Sequence, residues 1–331
     1  MRQGWLMAAL GLLTLALFAG SLLIGPAHLG LGESLRALFG AAGERRAAIL
    51  VMQDIRLPRA ILGLLVGGTL GLSGAAVQGY LRNPLAEPGL IGISGASALG
   101  AVLSLQTGLA GAFALALPLS AMAGAVVAVG LILLLAGPRG TSQTLILAGI
   151  AVSALAGALT ALVLNLSPNP FAATEMMFWL MGSLADQSML HVWLAAPLIV
   201  LGAGVLLSLG RGLDALTLGE DAAEAMGIRV GRLRLALILG TAAAVGASTA
   251  VAGAITFVGL VVPHMLRRAV GSRPSALLPA SALGGASMVL AADIAVRIVA
   301  PQRDLQLGVL TALVGAPLFL HLIWKTRRGE A

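Results

Sequence analysis

The side chains able to do chemistry in this chain are few and far apart. Its 331 residues include 13 Asp and Glu, 4 His and no Cys, and Lys325 is the sole lysine among 20 basic residues. A nucleotide-binding loop of the form G-x-x-x-x-G-K-[ST] needs its lysine to reach the β- and γ-phosphates. Lys325 stands in Ile323-Trp324-Lys325-Thr326 with no glycine loop before it, so the chain cannot bind ATP in that manner and any ATP drive must come from a partner. The absence of cysteine removes disulfides, thiolate catalysis and cysteine metal sites together. His28, His191, His264 and His321 fall in different segments without metal-ligand spacing, so no metal site is predicted and packing or interfacial roles are expected. With no G-x-S-x-G elbow and no paired carboxylates, no catalytic residue is assigned and no intrinsic catalysis is expected.

The elements that must position these residues are membrane spans. Apolar residues make up 59% of the chain and charged ones 10%, against about a quarter charged in a soluble domain. The basic residues punctuate long uncharged runs instead of forming a patch, so the net charge of +7 does not suggest nucleic acid. Stretches of roughly 20 apolar residues give ten candidate spans at about 5–25, 60–81, 90–107, 112–136, 142–165, 190–210, 232–251, 253–268, 275–297 and 305–325. The expected fold is therefore all-α and polytopic, one transmembrane domain over 1–331. The first run is longer than a signal-peptide core and lacks an A-x-A site, so it is read as an uncleaved span. The eighth is the weakest, with Pro263, His264, Arg267 and Arg268 near its end, and is expected to be short or broken and supported by its neighbours.

An even number of spans puts both termini on one side. Placing them inside leaves Arg2, Arg82, Arg139, Arg211, Arg229, Arg232, Arg234, Arg267, Arg268, Arg273, Lys325, Arg327 and Arg328 inside, and seven basic residues outside. Five of the seven, Arg36, Arg45, Arg46, Arg56 and Arg59, lie between the first two spans and need a reason of their own. Asp293 is the one carboxylate inside a predicted span, four residues before Arg297, and a surface ion pair near the external end is the plain expectation. Spans this bare of ionisable groups argue against an ion-coupled secondary transporter, which is the alternative function. A membrane-embedded scaffold or enzyme is a third, with no constellation to support it.

The longest polar inner segment, Arg211 to Arg234, reads as a short helix. Thr217 and Glu220 have capping-box spacing, Glu220, Asp221 and Glu224 suit a helix N-terminal half, and Gly227 can close its end. Ala222, Ala225 and Met226 leave a small apolar surface that fits a partner's groove. On pattern alone a solvated connector helix fits equally well. Small residues such as Gly67, Gly68, Gly71 and Gly74 allow close helix packing in the second span. Gln78, costly towards lipid, is expected to hydrogen-bond within the bundle, and Asn83-Pro84 to end that span sharply. A faint echo between Leu72-Ser73-Gly74-Ala75-Ala76 and Val251-Ala252-Gly253-Ala254-Ile255, five spans apart, hints at an inverted repeat.

Several stretches in order resemble the FecCD-type permeases, which import ferric siderophores, haem and cobalamin. They are Arg56-Leu57-Pro58-Arg59, Ser73-Gly74-Ala75-Ala76-Val77-Gln78, Arg82-Asn83-Pro84-Leu85-Ala86-Glu87-Pro88-Gly89, Gly95-Ala96-Ser97, Gly219-Glu220-Asp221-Ala222-Ala223 with Met226-Gly227, Phe257 to His264, and Gly308 to Pro317. The resemblance covers nearly the whole chain. It implies the permease subunit of a type II ABC importer in a bacterial inner membrane, with ten spans and both termini cytoplasmic. The implied partners are a second copy, two cytoplasmic ATPase subunits, a periplasmic or extracellular substrate-binding protein, and membrane lipid. No cofactor is implied for this chain; ATP and Mg belong to the partner ATPase.

Residue by residue, the resemblance makes the segment at about 217–227 the coupling helix that docks on the ATPase, with Thr217, Gly219, Glu220, Asp221, Glu224, Met226 and Gly227. It makes Gly140-Thr141-Ser142 a candidate inner gate, a plain polar turn being the alternative. It makes Arg56, Arg59 and Arg297 the outer groups that dock acidic residues on the two lobes of the binding protein; Arg36, Arg45 and Arg46 match no family motif and are expected to snorkel to lipid phosphates. The aromatics and methionines from Asn169-Pro170-Phe171 to Met176-Met177-Phe178-Trp179 suit either contact with a planar tetrapyrrole or an interfacial aromatic belt.

Overall fold

A computed structural model describes residues 2–27, 29–40, 45–137, 141–300 and 305–327. His28, Arg139, Gly140, Arg303 and Arg328 lie outside the described residues, as do the side chains of Arg2, His321, Lys325 and Arg327. The helices run α1 (Arg2–Leu23), α2 (Leu31–Leu38), α3 (Arg46–Leu50), α4 (Leu57–Leu81), α5 (Ile93–Gln106), α6 (Ala116–Ala136), α7 (Ser142–Asn165) and α8 (Pro170–Leu180). They continue with α9 (Met189–Ser208), α10 (Gly210–Leu216), α11 (Glu220–Ala225), α12 (Val230–Ala252), α13 (Val258–Arg267), α14 (Pro274–Val299) and α15 (Leu307–Arg327). A π-helical turn, Val51–Arg56, joins α3 to α4.

Each of the ten expected spans has its helix. Among the described residues seven are long and apolar enough to cross a bilayer, while α5, α13 and the described part of α15 are shorter. At 1.5 Å per residue the 14 residues of α5 reach about 21 Å and the 10 of α13 about 15 Å, short of a hydrocarbon core of about 30 Å. Both are preceded by backbone outside the α-helices, including a 3-10 turn at Pro88–Ile91, that is sheltered by protein: Ala86 and Ile91 before α5, Gly253 and Ile255 before α13, are all buried. Irregular backbone survives at membrane depth only under such cover.

These two places share a construction. Long helices α4 and α12 end on positive-φ residues, Arg82 at 50° and Gly253 at 68°. The short helices that follow start from positive-φ residues, Gly92 at 84° and Phe257 at 67°. The element order thus matches α4–α7 with α12–α15, pairing the second span with the seventh as the sequence echo did, but in a different register. Leu72–Ala76 sit within α4, whereas Val251–Ile255 run off the end of α12.

α4 and α12 are mostly buried, whereas α1, α6, α7 and α9 turn most of their surface outwards. Gly71 lies against the backbone of Ser281 in α14 and Gly74 against that of Gly259 in α13, so a Cβ at either would meet a carbonyl oxygen. The small residues of α4 are therefore needed for backbone approach, the packing expected of them.

Candidate functional site: the two ends of the helical bundle

The end that the arginine count assigns to the outside, called the outer end below, is organised around one buried carboxylate. Arg59 donates from Nε to Asp293 Oδ1 at 2.9 Å, and Arg297 Nη2 lies 2.8 Å from Oδ2 of the same group. The pair between Asp293 and Arg297 forms as the spacing suggested, but it is buried and not a surface contact. Arg297 also donates to the carbonyls of Ser21 and Ile24 at 2.8 and 2.7 Å. Arg56, only 3% exposed, donates to the carbonyls of Leu22, Leu23 and Ala27. The last carbonyls of a helix have no partner within it and carry partial negative charge. Two arginines supply donors for the end of α1, a structural reason for their presence that does not depend on the side of the membrane.

The three expected docking arginines do gather at one place, then, but with different freedom. Arg56 and Arg297 are consumed by the fold, while Arg59 keeps part of its side chain accessible. Arg59 and Arg297 line a cavity of about 510 Å³ at this end together with Glu175, Asp186, Phe178 and Trp179. The aromatic stretch divides here: Phe178 and Trp179 face this cavity, whereas Phe171 is 85% exposed at the start of α8. Arg45, expected to reach lipid, instead pairs with Glu33.

In the last turn of α4, Gln78 bridges the segment before α5 and the start of α13. Its Nε2 donates to the carbonyls of Ala86 and Leu260 at 3.1 and 3.3 Å, and its Oε1 accepts from Arg267 at 2.8 Å. Glu87 accepts the Phe257 N–H at 3.0 Å, tying the loop before α5 to the start of α13. Asn83 ends α4 as expected, its Oδ1 accepting the Leu85 N–H at 2.9 Å. His191 has a local structural role, Nδ1 accepting the Ser188 N–H at 3.2 Å where α9 begins.

At the opposite end, which the arginine count assigns to the inside and which is called the inner end below, α10 and α11 make up the polar connector. The capping box proposed for Thr217 and Glu220 does not form. Thr217 donates to the Asp214 carbonyl at 2.7 Å, closing α10, and α11 starts from Gly219 at φ 109°, a conformation that costs glycine little. Gly227, at φ 84°, does close α11: its N–H reaches the Glu224 carbonyl and that of Ile228 the Ala223 carbonyl, the paired bonds of a Schellman motif. Asp221, Glu224, Ala225 and Met226 face outwards with Leu218, while Ala223 is buried and Glu220 half-buried.

Asp214 fastens α10 to α14, accepting from Arg273 at 2.9 Å and from the Ser275 N–H at 2.8 Å. Burial raises its pKa, but these hydrogen bonds outweigh that and leave it below the usual carboxylate value. Thr141 caps α7 through a reciprocal pair with Thr144, and Ser142 donates to Glu220 Oε1 at 2.8 Å. Arg234, buried on α12, donates to the Gly137 carbonyl at the end of α6. Sequence reasoning missed Asp214, Arg234 and the bond between Ser142 and Glu220. A signal existed for the first: α14 starts at Arg273-Pro274-Ser275 with no capping side chain of its own.

The family model for the FecCD transport family matches residues 12–325. The chain belongs to the FecCD transport family. Among relatives of this FecCD permease, the ferric enterobactin transport system permease protein FepD of Escherichia coli is 38% identical, covering 97% of this chain and 96% of that one. The hemin transport system permease protein HmuU of Yersinia pestis is 37% identical, with 94% of each covered. The cobalamin import system permease protein BtuC of Halobacterium salinarum is 38% identical over 85% of this chain and 75% of its own. A solved structure assigned to the metal-chelate type of ABC transporter, in an inward-facing conformation, superposes with a TM-score of 0.85 at 32% identity, covering 96% of this chain and 98% of that one. The FecCD chain is thus a membrane-spanning permease subunit of an ABC importer, as the motifs implied.

Proposed function

We propose that this permease forms, as a single transmembrane domain, one half of a homodimeric pathway in the cytoplasmic membrane. Both termini face the cytoplasm, two ATPase subunits carrying ATP and Mg sit below, and a substrate-binding protein delivers cargo above. The cargo is a metal chelate or corrinoid, the class shared by the ferric enterobactin, hemin and cobalamin permeases it resembles. The observation that carries the ATP-driven reading is α11, a short helix set off by Gly219 and Gly227 that leaves Leu218 and Met226 69% and 62% exposed. Apolar groups flanked by Asp221 and Glu224 suit a groove on a partner. Thr217 and the two glycines set its angle, and Thr141 and Ser142, at the start of α7, serve as the inner gate.

At the outer end Arg59 meets a carboxylate of the binding protein, with Arg56 and Arg297 holding the rim on which it stands. An ion-coupled carrier is disfavoured because the one carboxylate within a span, Asp293, has both oxygens engaged by the guanidiniums of Arg59 and Arg297. In proteoliposomes holding permease and ATPase, the cognate binding protein should support ATP-dependent accumulation of one among haem, a ferric siderophore and cobalamin. Accumulation driven by an ion gradient without ATP would overturn the proposal.

A further inference from the structure

The six residues of α11 present two faces, and the acidic residues divide between them. Asp221 and Glu224 are exposed, whereas Glu220 is half-buried beside Ala223, which is fully buried. Glu220 does not cap its own helix, whose start lacks any side-chain cap. Its carboxylate instead accepts a hydrogen bond of 2.8 Å from the Ser142 hydroxyl, across 78 positions of sequence. Ser142 is the first residue of α7. The Tyr80 hydroxyl, buried in the last turn of α4, interacts with Ser142 as well and lies in the field of Arg234 and Glu220.

We propose that Glu220 is a positioning residue that carries movement of α11 to the first turn of α7 through Ser142, and is not itself a contact to the ATPase. This rests on α11 being the ATPase docking helix. A partner bearing on Leu218, Asp221, Glu224 and Met226 pushes a helix whose ends pivot on Gly219 and Gly227, and the polar bond that leaves its inner face ends on α7. A hydrogen bond to a charged acceptor is directional and stronger than a neutral one, so it transmits displacement where an apolar contact would slide. Its loss also strands a half-buried carboxylate, which adds to the effect.

The chain has no cysteine, so a single Gln143→Cys on the exposed side of the same turn reports on that turn alone. The assembled complex with its ATPase is labelled with a maleimide, without nucleotide and after trapping with ATP, magnesium and vanadate, and the permease band is read. In the reporter parent, trapping should change the labelling rate severalfold. Ser142→Ala and Glu220→Ala should each remove most of that change, bringing the trapped and untrapped rates close to equal, the double variant no further, and the ATPase should still co-purify with each. Ser142→Thr and Glu220→Gln, which keep a donor and an acceptor, should restore most of it.

The proposal falls if trapping still alters labelling fully in both alanine variants, if their losses add, if the parent shows no change, or if Glu220→Ala sheds the ATPase. Failure of the ATPase to assemble with the reporter parent would instead sink the proposed function.

Discussion

At the outer end, Arg56 and Arg297 spend their donors on the carbonyls that end α1, and Asp293 is enclosed by Arg59 and Arg297. At the inner end, Asp221 and Glu224 stand exposed on a six-residue helix hung between two positive-φ glycines. One end uses charge to hold the fold, the other leaves charge and apolar surface available to a partner. A cluster of like charges at a membrane edge therefore does not by itself mark a docking site; what its donors already bind decides that.

The sharpest way to break this contrast is Asp293→Ala. Removing one member of a buried ion pair leaves uncompensated charge and typically costs about 3–5 kcal/mol, so thermal unfolding of the purified permease should shift strongly downwards, while an unchanged midpoint would deny the outer cluster its structural role. Next comes Arg56→Ala, which strands carbonyls at the end of α1 and should cost about 1–3 kcal/mol. Arg59→Gln separates the two uses of charge at one site. It should change stability less than Arg56→Ala, yet slow capture of the binding protein and flatten the salt dependence of that rate, since rim charges act mainly on association. Equal capture by the Arg59→Gln and unaltered proteins would remove Arg59 from the docking surface.

Much of this was legible in the residues. Apolar run lengths placed the ten spans, Gln78 announced a bundle-facing polar group, and Gly227 announced a helix end, because each follows from local chemistry. What was not legible depended on partners distant in sequence. Arg56 meets Leu22 across 34 positions and Glu220 meets Ser142 across 78, and no spacing rule pairs them. Thr217 and Glu220 had the right separation for a capping box, but Glu220 found a better donor on α7 and Thr217 closed α10 instead. Asp293 and Arg297 paired as their spacing allowed, yet only the fold could bury them.

The smallest effect expected is at Asp214, which joins α10 to α14 near the inner surface. Its folded pKa lies below the ordinary value of 3.8, so its stabilisation is fully present above that value and is lost as pH falls through the folded one. The pair is partly exposed, with Arg273 67% accessible, so the contribution is about 1 kcal/mol or less. Asp214→Asn should flatten the acid limb of stability in that window and leave the stability profile's shape above it alone. A steeper acid limb in the variant would contradict the assignment.

The most direct test of the ATP-driven account is co-purification of the ATPase with permease carrying Leu218→Asp and Met226→Asp together. Both side chains are exposed on the outward side of α10–α11, so the variant should insert and purify like the unaltered chain. The account predicts that the ATPase no longer travels with it and that ATP turnover disappears from the preparation. An ATPase retained at full yield with undiminished turnover would show that α11 is not where the drive enters.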